Sequence, residues 1–207
     1  MNKDFNEYLI AIDFGGVIED TWSNKKKWLY NHGFIVNTPM ARQELRQLIG
    51  KNLHQTMLVE VYDEKEMLKS KTFNGAKESL QYLQSLGKIA ILTTRSPQKR
   101  ATVLEWLNLI GIAEFIDELV MIGDEALLPT NTKIPSKLDW CADHHVKFLI
   151  DDDMRHLTPL DNHPEIFRIH YQMGSNQTYF TASNLTLAND WFDIVEFIKQ
   201  ICLSVIT

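Results

Sequence analysis

The stretch that decides the fold reads Tyr8-Leu9-Ile10-Ala11-Ile12-Asp13-Phe14-Gly15-Gly16-Val17-Ile18, an apolar run ending on an acid and then on two glycines. A carboxylate directly behind a buried strand is costly unless it faces a cation or a polar site. The glycines let the backbone turn sharply and approach a ligand closely. Far downstream the pattern recurs in Val146-Lys147-Phe148-Leu149-Ile150-Asp151-Asp152-Asp153. Either acid alone reads equally well as a strand cap or turn former. Two apolar strands that both end in carboxylate point instead to one cation site at the carboxyl edge of a parallel sheet.

Further apolar runs extend the pattern outward. Ile89-Ala90-Ile91-Leu92 ends in Thr93-Thr94-Arg95-Ser96-Pro97, Glu118 to Ile122 ends in Gly123-Asp124, and Ile166 to Ile169 supplies a fifth strand. These runs lack a period of two, which predicts strands buried on both faces. Helical periodicity fills the gaps over Gly75 to Leu86, stopping at Gly87, over Gln98 to Leu109, stopping near Gly111, and over Ser136 to His144 after Pro135. Tyr171 to Asn189 is rich in Asn, Ser, Thr and Gln and reads as a loop, followed by a final helix over Asp190 to Ile206. The alternation predicts an open parallel α/β sheet with right-handed crossovers, its ligands at the carboxyl ends of the strands.

Residues 19–72 break the rhythm. They contain helical segments at Thr21 to His32, Pro39 to Leu53 and Leu58 to Leu68, without a convincing strand. First crossovers are usually much shorter, so the stretch reads as a small helical cap inserted after the first strand. The expected division is a core of residues 1–18 and 73–207 and a cap of residues 19–72. Trp22, Trp28 and Tyr30 at helical spacing fit the cap's own core, and stacking on a substrate ring is the alternative.

Bulk properties narrow the class. The 207 residues carry a net charge of −6, with 44% hydrophobic and 23% charged residues. That acidity argues against binding a nucleic acid polymer or an anionic membrane. Cys141 and Cys202 sit in apolar helical contexts without metal-ligand spacing, which fits a reducing compartment. No signal peptide and no membrane-length apolar run is read, so the expected location is cytoplasmic. His144-His145 reads as the polar end of a helix, since no ligand spacing accompanies it.

Taken in order, Asp13, Thr93, a lysine at Lys137 or Lys133, and Asp151-Asp152 resemble the four motifs of the haloacid dehalogenase (HAD)-like hydrolases. The likeness runs from Leu9 to about His156, and Phe73-Asn74-Gly75-Ala76, Leu92-Thr93-Thr94-Arg95 and Leu149-Ile150-Asp151-Asp152-Asp153 add to it. The resemblance implies a three-layer Rossmann-like parallel sheet and phosphatase chemistry. In it Asp13 is the nucleophile and an Mg²⁺ ligand, and the Gly15 carbonyl is a second ligand. Asp152 is the third ligand, with Asp151 in the outer shell, and Asp153 can replace either neighbour. It also implies that Thr93 and Lys137 serve the phosphoryl group, with Lys133 in reserve, and that Thr94 and Arg95 lie on the substrate side. Attack of one anion on another needs charge neutralisation, which Mg²⁺ and a lysine ammonium flanking the transferring group would supply. Arg95, Lys99 and Arg100 fit a basic, solvent-facing helix start equally well. Arg155 and His156 either complete the pocket or pair with the acids of residues 151–153.

One position departs from the resemblance. Family phosphatases commonly carry an acid–base Asp two residues after the nucleophile, where this chain has Gly15. Glu19, Asp20 or a cap residue are the substitutes left open. The expected substrate is a small phosphorylated metabolite, and the motif wording resembles nucleotidases, which makes a nucleoside monophosphate the first candidate. A metal-independent dehalogenase and a binding or regulatory module that has lost turnover are the rival readings. A homodimer is left open.

Overall fold

The computed structural model describes residues 8–123, 136–158, 163–172 and 184–204, so Lys133, Asp124 and Pro135 lie outside the described residues. Among those residues six strands form one parallel sheet: β1 (Tyr8–Ile12), β2 (Gly87–Thr93), β3 (Glu118–Met121), β4 (Phe148–Asp151), β5 (Phe167–Tyr171) and β6 (Leu185–Ala188). Their order is β3-β2-β1-β4-β5-β6. The chain moves one way from β1 to β2 and the other way to β4, which opens a crevice at the carboxyl ends of these central strands. Ile12 pairs with Ile91 on one side and with Ile150 on the other, so the register brings Asp13 beside Asp151.

Alternation along the strands builds two apolar faces. Ile10, Ile12, Ile91 and Ile150 point to one side, against α5 (Ala76–Gln84), α6 (Arg100–Ile110) and α9 (Trp191–Ser204). Ala11, Ala90, Leu92 and Leu149 point to the other, against α7 (Lys137–Asp143) and α8 (Met154–Leu157). The result is the expected three-layer α/β architecture.

Between β1 and α5 lie α1 (Thr21–Asn31), α2 (Arg42–Ile49), α3 (Lys51–Val61) and α4 (Glu64–Lys69), with an apolar cluster of their own around Trp28, Leu29, Leu45 and Met57. Trp28 is buried there and its indole N–H donates to Glu60 at 2.7 Å, whereas Tyr30 is 72% exposed.

Several elements differ from the sequence reading. The helix expected over Pro39 to Leu53 is two helices, because Gly50 between them takes a φ of +79°. The Leu58 to Leu68 segment is likewise split, with Asp63 capping α4 through the Lys65 amide. Gly87 does not terminate α5 but opens β2, where a Cβ would collide with the Tyr8 carbonyl. The supposed loop of residues 171–189 supplies Tyr171 to β5 and Leu185–Ala188 as edge strand β6. That strand is short and half-buried, so it carries no long apolar run. Edge strand β3 is also partly exposed rather than buried on both faces.

Candidate active site

Asp13 leaves β1 with its amide still in the sheet, donating to the Ile150 carbonyl at 2.8 Å. The chain then folds back tightly, with the Glu19 amide donating to the Phe14 carbonyl at 2.8 Å and the Gly16 amide to the Glu19 carbonyl at 2.9 Å. Gly16 is required by this turn. Its φ is +110°, and a Cβ there would run into the Asp152 carboxylate. Gly15 has an unexceptional φ, and a Cβ on it would make ordinary contacts with Thr21 at 3.4 Å, Arg95 at 3.5 Å and Glu19 at 3.9 Å.

Lys137 stands in the first turn of α7. Ser136 caps that helix by accepting from the Asp139 amide at 3.1 Å, and Asp139 accepts in return from the Ser136 amide at 3.0 Å. The lysine is only 2% exposed, and its ammonium donates to Asp13 Oδ1 at 2.5 Å and to Asp151 Oδ2 at 2.6 Å. Asp151 Oδ1 accepts from the Asp153 amide at 2.9 Å. Both Asp151 oxygens therefore accept hydrogen bonds within the protein. One oxygen from each of Asp13, Asp151 and Asp152 lies within 4.8 Å of the others.

The electrostatics describe a shortage of positive charge. Burial raises Asp13, and Asp151 adds to it, against the lowering effect of Lys137 and of His156. Asp152 sits at the exposed mouth, yet the dense packing around its carboxyl and the charges of Asp13 and Asp151 push it well above the usual carboxylate range. Burial works against the Lys137 ammonium, but Asp13 and Asp151 outweigh it and hold it above its ordinary value. Cys141 on the buried face of α7 is pushed up to about 12, chiefly by burial, and is an unreactive thiol.

Asp153 turns away from the cluster. It caps α8 by accepting from the Arg155 amide and pairs with the Arg155 guanidinium, which lowers its carboxyl against the effect of burial. Thr93 ends β2, buried, its hydroxyl accepting from the Arg95 amide at 3.3 Å, and Thr94 follows half-buried. Arg95 is not the solvent-facing helix start that the sequence left open. Its guanidinium pairs with buried Glu19 and lies 4.7 Å from the centroid of the Phe14 ring and 5.0 Å from that of Tyr62. Ser70 donates to the other Glu19 oxygen at 2.7 Å.

Two residues near the site escaped the sequence reading. His170 is the penultimate residue of β5 and its Nε2–H donates to the Asp152 carbonyl at 3.1 Å, so it positions the acid cluster; burial lowers its pKa and favours the neutral ring. The strand-end position was its only signal. Lys25 lies on α1 within the run Lys25-Lys26-Lys27, which reads as a solvated helix face. Burial opposes its charge, but Tyr62, Asp152 and Glu19 hold the ammonium above its ordinary value. The half-buried ammonium lies 5.9 Å from the centroid of the Tyr62 ring on the neighbouring helices' side of α1's charged run.

No protein-family model matches the chain, and no curated protein does. Solved structures do. A haloacid dehalogenase-like hydrolase from Streptococcus pneumoniae aligns at a TM-score of 0.59 and 13% identity, over 92% of this chain and 98% of that one. L-2-haloacid dehalogenase from Xanthobacter autotrophicus, with chloropropionic acid covalently bound, aligns at 0.57 and 12% identity, over 92% and 98%. A Bacillus subtilis protein assigned as a HAD-hydrolase and bound to magnesium aligns at 0.55 and 10% identity, over 94% and 99%.

Proposed function

Starting from the haloacid dehalogenase-like hydrolase fold that these similarities establish, we propose that the chain is a Mg²⁺-dependent phosphohydrolase acting on a small phosphate monoester through an aspartyl-phosphate intermediate. The observation that carries this reading is the Asp13–Lys137–Asp151 cluster with Asp152 beside it, three carboxylates against one ammonium at the carboxyl edge. Their hard oxygen donors and their excess negative charge fit Mg²⁺. Asp13, Asp152 and the Gly15 carbonyl would hold the ion, with Asp151 behind them. When bound it supplies charge neutralisation for the phosphoryl oxygens.

The remaining roles belong to the side chains. Asp13 attacks phosphorus, forming a carboxylate–phosphorus bond as the leaving oxygen departs with its electron pair, and water then cleaves the acyl-phosphate. Lys137 orients Asp13 and lends positive charge to the transferring group. Thr93 holds a phosphoryl oxygen beside the backbone N–H groups of the following turn. The four helices of residues 21–69 act as a cap that excludes water during transfer, supported by the Arg95 contacts with Tyr62 and Met67. The dehalogenase reading draws on one structural neighbour, but that chemistry needs no metal, and three carboxylates against one ammonium favour a cation site. Hydrolysis of an aryl phosphate that needs Mg²⁺, stops with EDTA and is absent in Asp13→Asn is the expected result. Metal-independent hydrolysis of a 2-haloacid without phosphatase activity would replace this reading with its rival.

A further inference from the structure

The acid-bearing turn at the end of β4 is held at three points. Lys137 donates to Asp151 Oδ2 at 2.6 Å, and the Asp153 amide closes the turn onto Asp151 Oδ1 at 2.9 Å. The third point is the residue between those two acids. The parallel register sets His170 of β5 beside Asp151, and strand alternation puts both side chains on the α7 face together with Leu149. From there the His170 Nε2–H reaches the Asp152 carbonyl at 3.1 Å. The Asp152 carboxylate meanwhile rests so closely on Gly16 that no Cβ could stand there. Asp152 is therefore clamped between β5, which holds its carbonyl, and the turn after Asp13. The imidazole is itself fixed. Gln172 Nε2 lies 3.0 Å from His170 Nδ1. An amide nitrogen only donates, so Nδ1 accepts and the ring proton belongs on Nε2, the atom that faces the carbonyl. Gln172 is tied in turn to β6, its amide donating to the Ala188 carbonyl at 2.8 Å. The chain of hydrogen bonds from Gln172 through His170 ends on the one exposed member of the three-acid cluster.

Mg²⁺ and Ca²⁺ ask different things of such a turn. Mg²⁺ demands near-ideal octahedral geometry at about 2.0–2.1 Å, whereas Ca²⁺ accepts oxygens at about 2.3–2.6 Å in a flexible arrangement. A turn pinned at each of its residues suits the first ion, and a loosened one gives that advantage away. Building on the reading of Asp152 as a Mg²⁺ ligand, we propose that His170, oriented by Gln172, is a positioning residue that sets the site's selectivity for Mg²⁺ over Ca²⁺. It touches neither ion nor substrate and acts through the backbone of Asp152.

The test is isothermal titration calorimetry of the substrate-free protein with Mg²⁺ and, separately, with Ca²⁺. His170→Phe keeps the volume of a ring and removes both nitrogens. It should weaken Mg²⁺ binding by about 10–100-fold, the usual cost of losing a hydrogen bond that orients a metal ligand. Ca²⁺ binding should weaken less, so the preference for Mg²⁺ narrows. His170→Gln, whose amide N–H takes the place of Nε2–H, should restore the wild-type ratio of the two affinities. Gln172→Leu keeps the imidazole but releases its tautomer, and should narrow the ratio by a smaller factor. Long-range ¹H–¹⁵N spectra of the wild-type protein above neutral pH should show the His170 proton on Nε2. An unchanged Mg²⁺ affinity in His170→Phe, or an equal loss for both ions, would overturn the proposal. So would a wild-type protein that binds Ca²⁺ as tightly as Mg²⁺, or a His170 proton on Nδ1. Should His170→Phe fail to fold, an unchanged ratio in Gln172→Leu would overturn it instead. A folded wild-type protein that binds neither ion would overturn the Mg²⁺ reading of the acid cluster, and this inference with it.

Discussion

Two buried ion clusters flank the turn after Asp13, and they are built to opposite ends. Around Arg95 the charges close: one guanidinium meets one carboxylate, whose remaining oxygen is taken by Ser70, and two aromatic rings cover the cation. Around Lys137 they do not close. One ammonium serves two carboxylates, and a third, Asp152, stands at the mouth with its pKa pushed up. A satisfied buried pair fixes the seam between core and insertion, whereas an unsatisfied cluster is a place where a cation and an anionic substrate can still be gained. Electrostatic incompleteness, more than the number of charges, separates the candidate site from its structural neighbour.

The largest expected effect tests that contrast in activity. Lys137→Ala should reduce aryl-phosphate turnover by at least about 10²-fold, since it removes preorganised charge from the reacting group. It also strands Asp13 and Asp151, so the metal-free protein should lose about 3–5 kcal/mol of stability by denaturant unfolding. If the variant keeps both activity and stability, the cluster is not what organises the site.

Next in size, Arg95→Ala should cost about 3–5 kcal/mol by leaving Glu19 buried and unpaired. Unlike the first loss, this one should not be reversed by Mg²⁺. The double variant Arg95→Met, Glu19→Gln should recover most of it, because the uncompensated charge is gone. A Mg²⁺-dependent recovery in Arg95→Ala would merge the two clusters into one unit.

A smaller shift follows from ligand linkage. Mg²⁺ at 100 times its Kd should raise unfolding stability by about 2.7 kcal/mol in wild type and by much less in Asp152→Asn. The affinity should rise with pH, since Asp13 and Asp152 have raised carboxyls that must lose protons before they bind the ion. Thermal melts with and without Mg²⁺ at two pH values measure both effects.

The smallest effect belongs to the insertion. His54 on α3 is buried, and burial with the nearby charges of Arg42, Lys25 and Arg46 lowers it below its usual 6.5. The neutral ring is the folded form, so its contribution is complete above pH 6.5 and is lost as pH falls through the folded value. His54→Leu should flatten the acid side of the melting profile below that point while leaving the Mg²⁺ response unchanged.

Much of this contrast was legible in the sequence, and the division has physical causes. Strand ends announce themselves, because an acid after a buried apolar run is a costly arrangement, and that marks Asp13 and Asp151; Lys137 stands out only through the resemblance of its spacing from the acid pair to the family's motif, since a lysine alone reads as surface. The partnership of Arg95 and Glu19 was not legible: they stand 76 residues apart, and either charge alone reads as surface. Lys25 was hidden by its charged neighbours in a helix that looks solvated. β6 was missed because an edge strand needs only one buried face, and the break at Gly50 because periodicity continues across a positive φ that only the backbone reveals.

The central claim is that Asp13 becomes phosphorylated during turnover. Acid-quenched enzyme, taken in the steady state with Mg²⁺ and an aryl phosphate and digested for mass spectrometry, measures it directly. The account predicts a phosphoryl group on the peptide containing Asp13, formed and lost at rates consistent with kcat and absent in Asp13→Asn. Continued turnover by Asp13→Asn, or sustained turnover by the wild-type enzyme with that peptide never modified, would contradict it.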